Sequence, residues 1–310
     1  MRHFIALMLL GMFVAPANAQ LAAQLFARDG ESKLVHSVSD PLVLRMTLRN
    51  EEALRLTQLN QSNEATLIAL KGSEGFAKLT DAQQQSIVAN YSTAPIPSVT
   101  IDADTDWQRV IRLELRDSSD HSWSLTPTVM LANHSKENRV LDANNGLLFK
   151  LALSSADLAG LTSNLYHVVA VIGLPFKDKA EFYSNVLAFD LIDSESQAND
   201  EKSNEWYQRR VEYSLVTGNF ADAKEWSLAW TAQHPATGDA WSALGDAEQG
   251  LKNREGAIAA YKQAELQFRA KHGNTPAEIP HLLIEKLSQA RTLPANPNAQ
   301  PQPPATPATQ

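Results

Sequence analysis

The feature that most constrains this chain is a pattern that recurs after 34 residues between positions 207 and 270. Tyr207 aligns with Trp241, and Ala223 aligns with Ala257. A fixed period of this length, with an early aromatic residue and a small residue after the turn, is typical of stacked helical hairpins. Such arrays form extended binding surfaces. The pattern therefore favours an interaction protein over an enzyme.

The two copies resemble the tetratricopeptide repeat. The residues that match the family pattern are Trp241, Leu244, Gly245, Ala257, Tyr261 and Ala264 in the second copy and Tyr207, Ala223 and Pro235 in the first. Glu248 and Arg269 stand where the family has an aromatic residue and a proline. The resemblance implies two hairpins and a capping helix, the latter running from Thr275 with Pro276 in its first turn to Arg291. Because about three repeats are usually needed for a free-standing array, we expect the helices to pack on the preceding domain or on a partner.

Residues before position 194 follow a two-residue period instead. Apolar side chains alternate with polar ones at 42–48, 111–116 and 147–153. This alternation predicts antiparallel strands with one packed face and one solvated face. Two further strands are expected at Tyr166–Ile172 and Asn185–Ile192.

The turn before Tyr166 indicates which class of β-sandwich these strands form. The segment Ser154–Leu161 followed by Tyr166 resembles the corner of immunoglobulin-like domains, where a tyrosine hydroxyl bonds to upstream backbone. The usual glycine is missing there and the chain has no cysteine pair, so the resemblance is to immunoglobulin-like and fibronectin-like sandwiches in general. Thr80 begins a pattern typical of a short capped helix, which fits no strand of such a sandwich.

We therefore predict a multidomain fold that is all-β and then all-α. An antiparallel Ig-like β-sandwich is expected at residues 20–193, with an irregular or helical insertion around 50–97. A polar linker at 194–203 leads to a short tetratricopeptide-type α-helical hairpin array at 204–291. Residues 292–310 are rich in proline and polar residues, a composition from which no core forms.

Residues 1–19 have the pattern of a secretory signal peptide. Arg2 precedes the apolar run Phe4–Val14, and Ala17-Asn18-Ala19 fits a small-x-small cleavage site. The run is shorter than the ~20 apolar residues that a membrane-spanning helix needs, so an uncleaved anchor is the weaker alternative. We expect cleavage near Ala19 and a periplasmic or secreted mature protein with no transmembrane segment. The absence of cysteine fits a bacterial exported protein.

Composition and motifs argue against catalysis and against nucleic-acid binding. The net charge is −8, the opposite of the basic surface that phosphate backbones attract. No zinc-protease helix, nucleophile elbow or phosphate-binding loop occurs in the sequence. We predict no enzymatic activity and no cofactor.

Three features invite a ligand-binding interpretation of the sandwich. Asp102, Asp104 and Asp106 could direct oxygen atoms at Ca²⁺, although they lack the glycine and glutamate of an EF-hand, and an acidic strand edge is the simpler explanation. Trp123 could be a sugar platform, but a core position is favoured. His167 is expected on the solvent face of its strand rather than as a metal ligand.

The resemblance to tetratricopeptide repeats implies a groove formed by the first helix of each hairpin. The positions that would face it are Glu205, Gln208, Glu212, Asp239, Ser242, Asp246 and Gln249. They are polar or acidic, so a neutral or basic segment of another exported or envelope protein is the expected partner. The predicted function is that of a non-enzymatic exported adaptor or scaffold. The alternative is a carbohydrate- or Ca²⁺-binding β-sandwich module for which the helical repeats are a docking stalk.

Overall fold

The computed structural model describes residues 21–27, 33–132, 139–174, 181–192, 203–272 and 280–294. The predicted signal peptide, most of the predicted linker and the tail beyond Pro294 lie outside these residues, as does the predicted helix start at Thr275 and Pro276.

The chain divides into two compact units. Unit 1 consists of Met1–Ala23, Thr47–Thr105 and Asn133–Leu147, and unit 2 consists of Gln24–Met46, Asp106–Ala132 and Leu148–Gln310. Unit 2 thus holds the helical array together with most of the strands. The predicted boundary at the linker does not coincide with this division, because the linker joins two parts of the same unit.

The described residues contain twelve strands. They are β1 (Leu21–Phe26), β2 (Lys33–Ser37), β3 (Leu42–Asn50), β4 (Val99–Ile101), β5 (Ile111–Asp117), β6 (Ser122–Leu125), β7 (Thr128–Leu131), β8 (Arg139–Leu141), β9 (Leu147–Leu153), β10 (Asn164–Ile172), β11 (Phe182–Tyr183) and β12 (Leu187–Ile192).

Ten helices occur in the same described ranges. They are α1 (Glu51–Lys71), α2 (Glu74–Ala77), α3 (Asp81–Asn90), α4 (Trp107–Val110), α5 (Ser155–Leu158), α6 (Asn204–Val216), α7 (Phe220–Gln233), α8 (Gly238–Gly250), α9 (Arg254–His272) and α10 (His281–Thr292).

The strands form three sheets. One has the order β1-β3-β9-β7, the second has β2-β12-β10-β5-β6 with β11 beside β10, and β4 pairs with β8. The pairs that involve β5, β7 and β10 are antiparallel, as alternation predicts. One pair departs from this expectation, since β2 runs parallel to β12. The two strands lie far apart in the sequence, so no hairpin constrains their direction.

The two-residue period corresponds to the observed burial. In β3, Leu42, Leu44, Met46 and Leu48 are buried, and in β5 every second residue from Ile111 to Leu115 is buried. His167 is exposed on β10, as expected for the solvent face. The final strand begins at Leu187 rather than Asn185, because the Asn185 side chain instead exchanges hydrogen bonds with the backbone of Leu25 at 2.6 and 2.9 Å.

The corner before β10 has the predicted hydrogen bond. The hydroxyl of Tyr166 donates to the backbone carbonyl of Thr162 at 2.9 Å, and the side chain is fully buried. Trp123 packs edge-on against Tyr166 with ring centroids 5.4 Å apart. Trp123 is half-buried, so it is neither a fully buried core residue nor an open platform.

Unit 1 contains the stretch expected to be irregular or helical, and it is mainly helical. Asn50 is buried and caps α1 by accepting from the amide of Ala53, while its own amide donates to the carbonyls of Pro97 and Leu141. Thr80 caps α3 in a reciprocal capping box with Gln83, which confirms the predicted helix start.

In unit 2, α6–α7 and α8–α9 form two hairpins with matching turns. Gly218 and Lys252, 34 positions apart, both adopt positive φ, at 74° and 59°. The next residue in each turn, Asn219 or Asn253, donates its amide to a carbonyl five residues earlier. A left-handed residue followed by such a bond is the usual way to end a helix. The 34-residue period of the sequence is therefore also a period of the backbone.

Small residues let the helices of this array approach closely. A Cβ on Gly245 would lie 2.3 Å from the ring of Tyr261, and one on Gly250 would lie 2.2 Å from Phe220. A cluster around Tyr207 and Trp230 joins the two hairpins, and a second cluster joins α9 to α10. The last helix is observed from His281, within the range expected for the capping helix.

Candidate partner-binding groove

Helices α6 and α8 place the predicted groove residues on one face each. Glu205, Gln208 and Glu212 are spaced by three and four residues along α6, so they share a face. On α8 the corresponding series is Asp239, Ser242, Asp246 and Gln249. Ser203 starts α6 by accepting a hydrogen bond from the amide of Trp206 at 3.1 Å. Both series therefore lie on regular helices. The N-terminal and C-terminal halves of each helix differ in which other residues contact them.

Glu212 is engaged by the strands of unit 2. Its carboxylate lies 2.7 Å from Lys150 Nζ on β9 and 3.3 Å from Arg45 on β3, and the side chain is only 14% exposed. Burial acts to raise the pKa of Glu212, but Lys150 and Arg45 outweigh it, and the pKa is lowered. Glu212 therefore anchors α6 to the sheet. The helices were expected to pack on the preceding part of the chain or on a partner, and this contact places α6 against two of the preceding strands, β3 and β9.

Asp246 is engaged by two residues of its own array. One carboxylate oxygen accepts from Lys286 Nζ on α10 at 2.7 Å, and the other accepts from the hydroxyl of Tyr261 at 2.8 Å. Burial and the charge of Asp246 raise the pKa of Tyr261 well above its usual value, so the hydroxyl stays protonated. The Gln249 side chain lies 2.9 Å from the same hydroxyl. The hydroxyl of Tyr261 is thus within hydrogen-bond distance of two acceptors, Asp246 Oδ1 and Gln249 Oε1.

The N-terminal halves of α6 and α8 are open. Glu205 and Asp239 are exposed, and Gln208 and Ser242 are half-buried. Within the described ranges, none of these four side chains has a hydrogen bond or an ion pair. The predicted groove is thus divided into an open half with two free carboxylates and a closed half whose carboxylates are occupied by the chain's own cations.

A second ionic contact on α6 could not be read from the sequence. Arg210 and Arg209 approach the carboxylate of Asp40 at 2.9 and 3.5 Å, and Asp40 is buried. Arg210 also lies over the rings of Trp206 and Trp226, at 4.3 and 5.2 Å from their centroids. Nothing in the local sequence pairs a turn after β2 with a helix about 170 residues later.

Next to this contact lies a buried histidine. His36 is 2% exposed, and its Nε2 is 3.0 Å from the backbone carbonyl of Asp40. Since a carbonyl only accepts, Nε2 carries the proton. Burial lowers the pKa of His36 to about 4, and the nearby Arg209 contributes. His36 is therefore neutral at pH 7, and its ring centroid lies 6.2 Å from that of Phe189 on β12.

The residues of the Ca²⁺ alternative form ordinary turn contacts. Asp102 accepts from the amide of Asp104 at 2.9 Å, and Asp106 pairs with Arg109 at 3.1 Å. Across the part of the chain that the structure describes, no three histidine or acidic side chains are grouped to hold a metal ion.

No described helix is both long enough and apolar enough to cross a membrane.

Comparison with known proteins gives little further information. No family model matches the chain, and no curated protein matches it. Among solved structures, it is similar to a family 123 glycoside hydrolase from Clostridium perfringens that hydrolyses glycolipid glycans, at 7% identity and a TM-score of 0.28. The similarity covers 66% of this chain and 36% of that enzyme. A TM-score of this size establishes neither a shared fold nor a shared activity.

Proposed function

We propose that the protein is an exported, non-enzymatic adaptor that binds a basic or neutral segment of another envelope protein through the open half of the groove. The observation that supports this most directly is the pair of exposed carboxylates, Glu205 and Asp239, at equivalent positions on neighbouring helices. Among the described residues, the open half of the groove is a surface of two regular helices, α6 and α8.

The helices that present this surface are rigidly held. Asn204 accepts from Trp230 Nε1 at 2.9 Å, which fixes the start of α6 against α7. Trp241 Nε1 donates to the carbonyl of Pro235 at 2.9 Å, which fixes the start of α8. A surface on fixed helices loses little conformational entropy when a partner binds. The surface is therefore suited to binding an extended segment of the partner without any folding of its own helices on binding.

Charge sets the chemistry of the partner. The open half offers carboxylates and neutral polar groups, so a lysine or arginine of the partner would form charge-assisted hydrogen bonds there. A partner rich in acidic residues would be repelled. The mature protein's localisation in the periplasm, or outside the cell, is part of the same proposal and follows from the signal-peptide pattern.

Site-specific photocrosslinking in the exporting cells tests the proposal. A photoreactive residue in place of Gln208 should form adducts with a defined partner. The variant Glu205→Lys with Asp239→Lys should lose them, because the carboxylates become cations. The matched control is Glu225→Lys with Glu255→Lys, which changes the same charge at exposed positions on α7 and α9.

The control variant should keep the adducts at the wild-type level. Equal adduct yields from the two double variants would contradict the proposal, since the open half would then play no specific part. A photoreactive residue at Ala259, exposed on α9, should not capture the same partner.

A further inference from the structure

The closed half of the groove contains a carboxylate whose cationic partner comes from the last helix. Asp246 and Lys286 are 27% and 24% exposed, so their ion pair is half-buried and in contact with solvent. Glu212 is different, because at 14% exposure it is shared by two cations on the sheet. Lys286 has a flexible stem, so the pair of Asp246 and Lys286 can separate without a movement of the backbone.

The carboxylate of Asp246 is held in place independently of Lys286. The hydroxyl of Tyr261 donates to one of its oxygens, and Tyr261 is fully buried against Gly245. If Lys286 moves away, the oxygen that it contacts loses this donor while the other oxygen stays bonded to Tyr261. The arrangement is therefore a preformed site for an ammonium or guanidinium group.

The backbone of α10 does not depend on this ion pair. Leu283, Leu287 and Ala290 bury one side of α10 against Ala257 and Tyr261 on α9. A lysine at position 286 has a flexible stem and one terminal charge. Loss of its contact should leave the helix docked.

We propose that Asp246 is a second cation-binding position of the groove, and that Lys286 occupies it as an internal competitor for a lysine or arginine of the partner. This inference rests on the proposed function, because it extends the same binding surface from the open half toward α10. The partner would then bear two basic side chains, one for Glu205 and Asp239 and one for Asp246.

Fluorescence anisotropy with the full mature chain and a labelled octalysine peptide tests the inference. Lys286→Met should tighten peptide binding about twofold to fivefold, which is the range expected for release of one solvent-accessible ion pair. Lys262→Met on α9 removes the same charge at an exposed position that has no hydrogen bond or ion pair among the described residues, and it should leave affinity nearly unchanged. Adding Asp246→Asn to Lys286→Met should remove the gain.

The outcomes separate this inference from the proposed function. Equal tightening by Lys286→Met and Lys262→Met would overturn it, because the gain would reflect net charge alone. If Glu205→Lys with Asp239→Lys weakens octalysine binding while Lys286→Met changes nothing, the adaptor proposal stands and the competitor does not. If octalysine binds no better than octaglutamine in any variant, the inference about Asp246 fails, while the adaptor proposal, which also admits a neutral segment, is decided by the photocrosslinking. Circular dichroism at 222 nm should show unchanged helix content in Lys286→Met.

Discussion

Replacing Glu212 with glutamine tests whether this residue is free to bind a partner in the groove or anchors α6 to the sheet. As a groove residue it would be free for a partner, and the substitution would leave stability unchanged. In the structure it is the shared anion of Lys150 and Arg45. We expect the substitution to destabilise the contact between α6 and the sheet, because two partly buried cations lose their counter-charge.

The magnitude follows from the degree of burial. Exposed ion pairs contribute ~0.2–1 kcal/mol, and removing one member of a fully buried pair costs ~3–5 kcal/mol. Glu212 is 14% exposed and its partners are 27% and 24% exposed, which places the site between these limits. We expect a loss of ~1.5–3 kcal/mol from the free energy of unfolding of unit 2.

Urea denaturation combined with hydrogen exchange measures this loss. Exchange of the amides in α6 reports the local contact even if the whole chain does not unfold in two states. A double-mutant cycle with Lys150→Met isolates the pair. The pKa of Glu212 is lowered in the folded state, so its contribution is present above its usual pKa and is lost as the pH falls below it. The difference between wild type and variant should therefore shrink from pH 7 to pH 3.

Glu205→Gln is the matched control, since Glu205 lies on the same face of α6 but is exposed. If both substitutions lower the free energy of unfolding equally, or if Lys150→Met shows no coupling to Glu212→Gln, the assignment of Glu212 as an anchor is refuted. A free Glu212 would return the whole of α6 to the predicted groove.

Two other perturbations test the packing of unit 2. The pKa of His36 is lowered to about 4 by burial, with Arg209 adding to this effect, so the folded state binds fewer protons than the unfolded state between that value and the usual 6.5. The free energy of unfolding should fall by up to ~3 kcal/mol as the pH decreases through this window. In urea titrations, His36→Gln should flatten this pH dependence, whereas His167→Gln should not. Gly245→Ala should lower the free energy of unfolding by ~1–3 kcal/mol, because the added methyl group overlaps the ring of Tyr261. The control is Gly160→Ala, whose added methyl group meets no atom within 4 Å. Equal midpoints of the two variants in thermal unfolding would contradict the reasoning.

Local patterns in the sequence predicted the elements that depend on neighbouring residues. Alternation at 111–116 reflects a sheet with one packed face, and β5 has that burial. The helix start at Thr80 and the hydrogen bond of Tyr166 to Thr162 depend on contacts within four residues, so short-range chemistry was enough to predict them. The assignment of the two domains to the Ig-like and tetratricopeptide families stays a prediction.

The sequence by itself determined the 34-residue period, the strand faces and the polar or acidic residues at the groove positions of α6 and α8. It could not determine which of those acidic residues remain free. Glu212 meets Lys150 and Arg45, and Asp246 meets Lys286, because the packing of distant strands and helices brings these groups together. The spacing of charged residues along the sequence does not identify their ion-pair partners, because an ion pair depends on distance in space and not on separation along the chain. Only the tertiary structure therefore divided one predicted groove into an open half and a closed half.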